Sequence, residues 1–537
     1  MAAANRHELW DRMRTQALPG AAARWCVPGD LDGYFALFFS SLPDLLLIAS
    51  LLPLCGFSPS FVNERILPGV ALSIVGGNIF YAWQAHQLAR RSGRGDVTAI
   101  PFGVNLPTIF AYIFLIMLPV YQRTHDAHLA WQAGVFASFA SGIVQTLGAF
   151  CTDWLRRNTP RAALLCPLAG IALAYLALGF IFGIFEKPAI ALFPATMLLV
   201  IYGSRMRLPF RIPAGLLCLV TGALLAAFLR AAHLYNAPIV EAQAMGVYLP
   251  HPVNVADFVL HSGGWHYLAI ILPMSMLDTL VSLQILESVK LAGDDFPTRP
   301  SLLANGLATL AAAFFGSPFP TTLYFGHMAH KDFGARTGYS ILSGVSISII
   351  CMTGLVSAVL RFVPIEVVSI VVVWFGLVMV GQAFQEVRRS HCIAVAFGLI
   401  PMLAAWALGL VTLAITKSGA TLYDVAARFG SELPIYGVIA LSQGAILISM
   451  VWAAALAWVF DRHFLRAAAW MAVASLLSCV GLIHAYTLSS QGVENKIGYV
   501  AAPEFALSYA ACAVFLVGCH WYGRKAREPW LGAELDL

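Results

Sequence analysis

Charge is what this sequence has least of. Of its 537 residues only 11% are Asp, Glu, Lys or Arg, where a soluble domain carries about 25%. Its 32 basic and 27 acidic side chains are too few to cover the surface of a 57.9 kDa globule. With 59% hydrophobic residues and a mean hydropathy of +0.78, a soluble enzyme, a disordered chain, a collagen and a coiled coil are all excluded. There is no CxxC pair. The ten cysteines stand singly, most of them in apolar runs such as those around Cys166, Cys218, Cys351 and Cys479, and read as small packing residues rather than a disulfide framework or metal site. Walker, GxSxG and HExxH patterns are missing, as is any soluble stretch long enough for a nucleotide-binding domain. No enzymatic activity, cofactor, metal or nucleic-acid partner is expected. Transport driven by an ion gradient remains.

Long hydrophobic runs are what the chain does have. A window of about 20 residues places spans near 35–55, 67–87, 99–121, 131–152, 161–184, 188–204, 211–231, 266–289, 300–316, 317–336, 338–360, 364–384, 391–416, 434–460, 466–487 and 499–523. Residues 1–33 carry Arg6, Arg12, Arg14 and Arg24, and no small-x-small cleavage pattern follows, so the first run reads as an ordinary span rather than a signal peptide. The basic residues test the count. Placing the N-terminus inside puts 24 of the 32 Lys and Arg in cytoplasmic segments, against eight outside: Arg65, Arg123, Lys187, Arg230, Arg361, Lys417, Arg428 and Lys496. An integral protein of a bacterial-type inner membrane with both termini cytoplasmic is the expectation. Its parts are a cytoplasmic N-terminal segment (1–34), a first seven-helix repeat (35–231), an extracytoplasmic loop (232–265), a second repeat (266–460), two additional transmembrane helices (461–523) and a cytoplasmic tail (524–537).

Seven spans before the loop force the second set to be inverted. Its first helix matches that of the first set: Ser41-Leu42-Pro43-Asp44-Leu45 against Ser275-Met276-Leu277-Asp278-Thr279. The third helices match as well. Ile100-Pro101-Phe102-Gly103-Val104-Asn105 and Ser317-Pro318-Phe319-Pro320-Thr321-Thr322 both interrupt an apolar run with Pro, Gly or Thr. Non-helical backbone at membrane depth must be buried in protein or line a cavity. Two short extended stretches entering from opposite sides are therefore expected, each leading into a half-helix whose positive N-terminal end faces one central space. The alternative is a pair of proline kinks.

Asp44, Asp278, His327 and His330 are the ionisable side chains that need explaining. An ionised Asp at the bilayer centre costs roughly 2.5 kcal/mol or more, so Asp278, with Ser275 and Ser282 on its face, is expected to carry a proton and bind a ligand. Asp44 is either a second such group or a clamp for backbone vacancies created by Pro43. His327, directly after Gly326, is expected to point into the central space. His330 is read as a solvated or capping residue, and Glu287, Asp294 and Asp295 as capping or solvating the cytoplasmic end of their helix.

Met276-Leu277-Asp278-Thr279-Leu280, Arg299-Pro300-Ser301-Leu302-Leu303-Ala304-Asn305-Gly306, Phe315-Gly316-Ser317, Thr321-Thr322 and Gly334-Ala335-Arg336-Thr337-Gly338 together resemble the xanthine/uracil permeases of the nucleobase–ascorbate transporter superfamily, most nearly the guanine–hypoxanthine branch. The resemblance is clear over 270–345, weaker but collinear over 35–120, and architectural elsewhere. It implies two inverted seven-helix repeats forming a core and a gate domain, with substrate held between helices 3 and 10. It also implies that Asp278 is the acid that binds the base and couples proton symport, and Phe102 the aromatic stacked on the ring. The stretch Tyr324-Phe325-Gly326-His327-Met328 lacks the family's acid, Ser275 replaces another, and two helices are extra.

The fold class expected is an all-α polytopic membrane protein with inverted repeats, extended segments in helices 3 and 10, and two added C-terminal helices. The leading function is proton-coupled uptake of a nucleobase-like or similar small planar polar solute; the alternative is a small-anion transporter or exchanger on the same fold. Candidate substrate contacts are Asp278, Phe102, Phe325, Gly326, His327 and Asn105, with Asp278 and Asp44 in proton coupling and Ser275, Ser282 and Thr322 in support. The partners expected are a small-molecule substrate, protons, membrane lipid and a second copy in a homodimer.

Overall fold

The computed structural model describes residues 24–204, 206, 214–234, 245–256, 258, 267–324, 326–360, 365–489 and 492–525. The expected site residue Phe325, the outer part of each terminal segment and most of the loop at 232–265 lie outside the described residues.

The chain is an integral membrane protein, and its described residues are mostly helical. In the first repeat α1 is Gly29–Leu51, α2 Pro59–Ser92, α3 Leu106–Thr124, α4 Ala127–Asn158, α5 Arg161–Glu186, α6 Pro188–Gly203 and α7 Ala214–Ala231. The second repeat follows with α8 Leu268–Leu291, α9 Thr298–Phe314, α10 His327–Asp332, α11 Gly338–Thr353, α12 Ile365–Gln385 and α13 Arg389–Lys417. Its last helix, α14, is broken into Ile435–Ser442 and Ala445–Phe460, which meet at 82°. The added pair is α15 Phe464–Val480 and α16 Pro503–Lys525. Every expected span has its helix, with two corrections. The fifteenth run stops at Val480 because Gly481 turns left-handed (φ 84°), and residues expected to continue it form the hairpin β3 Tyr486–Ser489 with β4 Gly492–Asn495. The tenth run holds only a six-residue helix.

The helices sort into two groups. Helices α1, α2, α4, α8, α9 and α11 pack on one another as a core, and α5, α6, α7, α12, α13 and α14 as a gate. Contacts of α1 with α12, α3 with α5 and α8 with α14 bridge them, and α15 joins α14 to α16. Almost none of α16 is buried, as expected of a span that faces lipid.

Inside the core lies a two-stranded ribbon. Proline lacks an N–H and disfavours helix in the residue before it, so Pro101, Pro318 and Pro320 keep both stretches extended. The resulting β1 (Phe102–Val104) and β2 (Thr321–Leu323) pair antiparallel, Phe102 with Leu323, Gly103 with Thr322 and Val104 with Thr321. The sequence reading placed two extended stretches here but not their pairing. That pairing answers the demand for backbone partners at this depth.

Candidate functional site

A pseudo-twofold runs through the ribbon, and hydrogen bonds repeat across it. The amide of Asn105 donates to Pro320 O (2.9 Å) and that of Tyr324 to Pro101 O (2.8 Å). In the next layer Asn78 on α2 donates to Phe102 O (3.1 Å), and Thr309 Oγ1 on α9 lies 3.4 Å from Thr321 O. Those two side chains are met in turn by Ser340 of α11 at Asn78 Oδ1 (2.9 Å) and by Gln145 of α4, whose Oε1 accepts from Thr309 (3.0 Å). Residues 101–105 and 320–324 are thus equivalent, and Asn105 is the counterpart of Tyr324.

Each counterpart reaches a carboxylate of the other repeat. Asn105 Nδ2 donates to Asp278 Oδ1 at 2.7 Å; Tyr324 Oη lies 2.7 Å from Asp44 Oδ2 and 2.9 Å from Val104 O. Asp278, 4% exposed, also accepts from Asn305 Nδ2 (3.3 Å) and from Thr322. Ser282 lies 3.2 Å from Thr322 Oγ1 and 3.4 Å from Asn305 Nδ2, while Asn305 Oδ1 is buried with no partner. Ser275 points the other way, to Ser141 (2.6 Å), which bonds Tyr112. Asn105 has a second task. Its Oδ1 accepts the Thr108 amide (3.2 Å) and caps α3, a contact worth about 1 kcal/mol. The positive end of a continuous nineteen-residue helix is thereby set beside Asp278.

Four expectations need correcting here. Phe102 is buried with its ring against Tyr81 (5.3 Å between centroids) and Gly77, where an added Cβ would come within 2.1 Å of the ring. No face is left for a planar solute to stack on. His327 does not point into the central space. Its Nδ1 lies 3.1 Å from Ala99 O and its Nε2 3.0 Å from Asp294 Oδ2, because Gly326 (φ 105°) turns the chain just before it. Helix α10, six residues long, offers no second dipole end, so the expected pair of opposed half-helices reduces to α3 alone. His330 is buried rather than solvated, stacked on Tyr339 at 4.6 Å.

Asp294 was expected to cap a helix, yet its side chain is fully buried among Lys331 Nζ (2.7 Å), Arg94 Nη2 (3.1 Å), His327 and the Thr98 amide (3.1 Å). Burial by itself would raise its carboxyl, but the hydrogen bonds from His327 and Lys331, the Lys331 charge and the Thr98 amide together hold it below the usual range. This hub fastens the loop after α8 to the approaches of β1 and to α10. Asn305 and Tyr324 are candidate site positions that the sequence does not single out, and Asp294 is one whose place in a buried hub it does not reveal. A polar Asn inside the small-residue run of α9 was the one available signal.

The chain matches two solved transporter structures over this architecture. The transmembrane domain of a cyanobacterium bicarbonate transporter, BicA, superposes with a TM-score of 0.51 at 13% identity, covering 70% of this chain and 94% of that one. SLC26A9 superposes at 0.50 and 14% identity, covering 70% of this chain and 62% of that one. No protein-family model matches the chain, and no curated protein does. The likeness establishes the inverted-repeat transporter fold and overturns the resemblance to xanthine/uracil permeases. The residues that carried that resemblance are a mid-span acid, prolines that break helices and glycines that end them. In this chain the prolines flank the paired strands and the glycines turn the backbone, which are tasks of the fold.

Proposed function

We propose that this protein is a secondary active transporter that carries a small anion across the membrane with Asp278 as its coupling carboxyl. The carrying observation is that Asp278 is held by Asn105 of the first repeat and Asn305 of the second, where the ribbon meets the capped N-terminus of α3. A helix N-terminus favours negative charge. A carboxyl at this depth that can take up a positive charge lets an anion sit close to it without the repulsion of two fixed negative charges. The buried Phe102 speaks against a stacked base, and the fold shared with a bicarbonate transporter supports an anion as cargo.

In this reading residues 35–231 and 266–460 are the two repeats, and the core slides or rocks against the gate to expose the ribbon to each side in turn. The location is a bacterial-type inner membrane with both termini cytoplasmic, and two copies associate. Uptake of labelled bicarbonate, sulfate, chloride, xanthine and uracil into proteoliposomes, with and without an inward proton gradient, tests the reading. Gradient-stimulated uptake of at least one anion, and of neither base, is expected. Uptake of a base alone would refute it.

A further inference from the structure

We infer that Asp44 and Tyr324 form a second coupling site, the pseudo-symmetric counterpart of Asp278 and Asn105, so that one anion crosses with two protons. The inference rests on the anion-transport reading above and adds a residue, a role and a stoichiometry to it.

The first support is position. Backbone hydrogen bonds make Tyr324 the equivalent of Asn105, and these two side chains reach carboxylates at equivalent places in the first helix of each repeat. Each bond crosses from one repeat to the other, so each ties a charge to the strand of the opposite half. Tyr324 is held tightly in that role. Its ring packs over Gly103, where an added Cβ would come within 2.5 Å of it.

The second support is charge. Asp44 and Asp278 are 5% and 4% exposed, and the donors that reach them are neutral: a phenol, two amides and a hydroxyl. No Lys or Arg occurs between Arg24 and Arg65, between Arg65 and Arg90, from 95 to 122 or from 231 to 289. The fixed cations nearest in sequence to the ribbon, Arg94 and Lys331, are committed to Asp96 and Asp294. Two ionised carboxylates plus an anion would place three negative charges in one uncompensated interior, which low dielectric makes prohibitive. A mobile positive charge on each carboxylate removes the conflict.

The third support is the vacant acceptor. Asn305 Oδ1 has no donor although its amide nitrogen lies 3.3 Å from Asp278 Oδ2. Rotation of that amide by half a turn would present the oxygen to a proton arriving on Asp278.

The test is the equilibrium accumulation of labelled sulfate or chloride in proteoliposomes at zero membrane potential. Two coupled protons raise the inside-to-outside anion ratio roughly 100-fold per unit of pH gradient, and one proton roughly tenfold. The wild type is expected to show the hundredfold dependence, Asp44→Asn the tenfold one, and Asp44→Glu, which keeps the carboxyl, the hundredfold one again. A wild type with a tenfold dependence overturns the inference even if Asp44→Asn fails to fold. So does an Asp44→Asn variant that keeps the hundredfold dependence, or accumulation driven by a sodium gradient and indifferent to pH. A wild type that moves no anion overturns the functional reading as well, which separates the two failures.

Discussion

The two carboxylates of the core sit in matching backbone and unlike chemistry. Asp278 is held by two amides and a hydroxyl, and a hydroxyl chain through Ser275, Ser141 and Tyr112 leads away from its helix. At Asp44 the side-chain bond is a single phenol, which also lies within reach of a strand carbonyl. The inverted repeat therefore duplicates the frame and leaves the side chains free to diverge. Adaptable amides surround the carboxyl beside the capped end of α3, and a rigid aromatic arm holds the other. On this account Asp278 shares its space with the anion, and Asp44 balances charge on the far side of the ribbon.

Four substitutions probe that contrast. The largest effect is expected where the β2 side is anchored. Asp294→Asn removes a buried charge from Lys331, Arg94 and His327 and should destabilise the protein by about 3–5 kcal/mol, read as a lowered melting temperature in detergent. The pH dependence follows from its lowered carboxyl. Asp294 adds stability above the unfolded value of 3.8, and that stability is lost as pH falls through the lower folded value. Melting curves between pH 6 and pH 3, chosen as about two units above and one below that value, should therefore show a shallower acid limb in Asp294→Asn than in wild type.

Asn105→Leu strips Asp278 of its 2.7 Å hydrogen bond and α3 of its cap. Together these are worth about 2–4 kcal/mol, and anion uptake should fall about 100-fold. Gly103→Ala pushes a methyl into the Tyr324 ring and should cost about 1–3 kcal/mol, disturbing the Asp44 side first. Tyr324→Phe keeps the ring and removes one hydroxyl. A loss of about 1–2 kcal/mol, or roughly tenfold in uptake, is expected. If Tyr324→Phe proved as damaging as Asn105→Leu, the asymmetry drawn here between the two sites would be wrong.

Much of this was legible because hydropathy and charge are local signals. Runs of about 20 apolar residues, and the imbalance of Lys and Arg around them, place the spans without reference to contacts. Pro101, Pro318 and Pro320 announce broken helices by the same local rule. The β1–β2 pairing was not legible, since its partners lie more than 200 residues apart and three-residue strands carry too little pattern. Asp294 misled because its neighbour Asp295 is exposed and solvated, and nothing local distinguishes the two. His327 misled because one glycine at φ 105° decides which way the ring turns. Substrate class lay furthest from the sequence, because the prolines and glycines among the motifs that suggested nucleobases shape the backbone frame.

The most direct test of the central claim compares net accumulation with exchange in Asp278→Asn proteoliposomes. Proton-driven accumulation of labelled anion should fall from the hundredfold to at most the tenfold dependence per unit of pH gradient that the Asp44 proton alone supports, while exchange of internal for external anion, which needs no net proton movement, should persist. Accumulation by Asp278→Asn to the wild-type level under the same proton gradient would contradict the account.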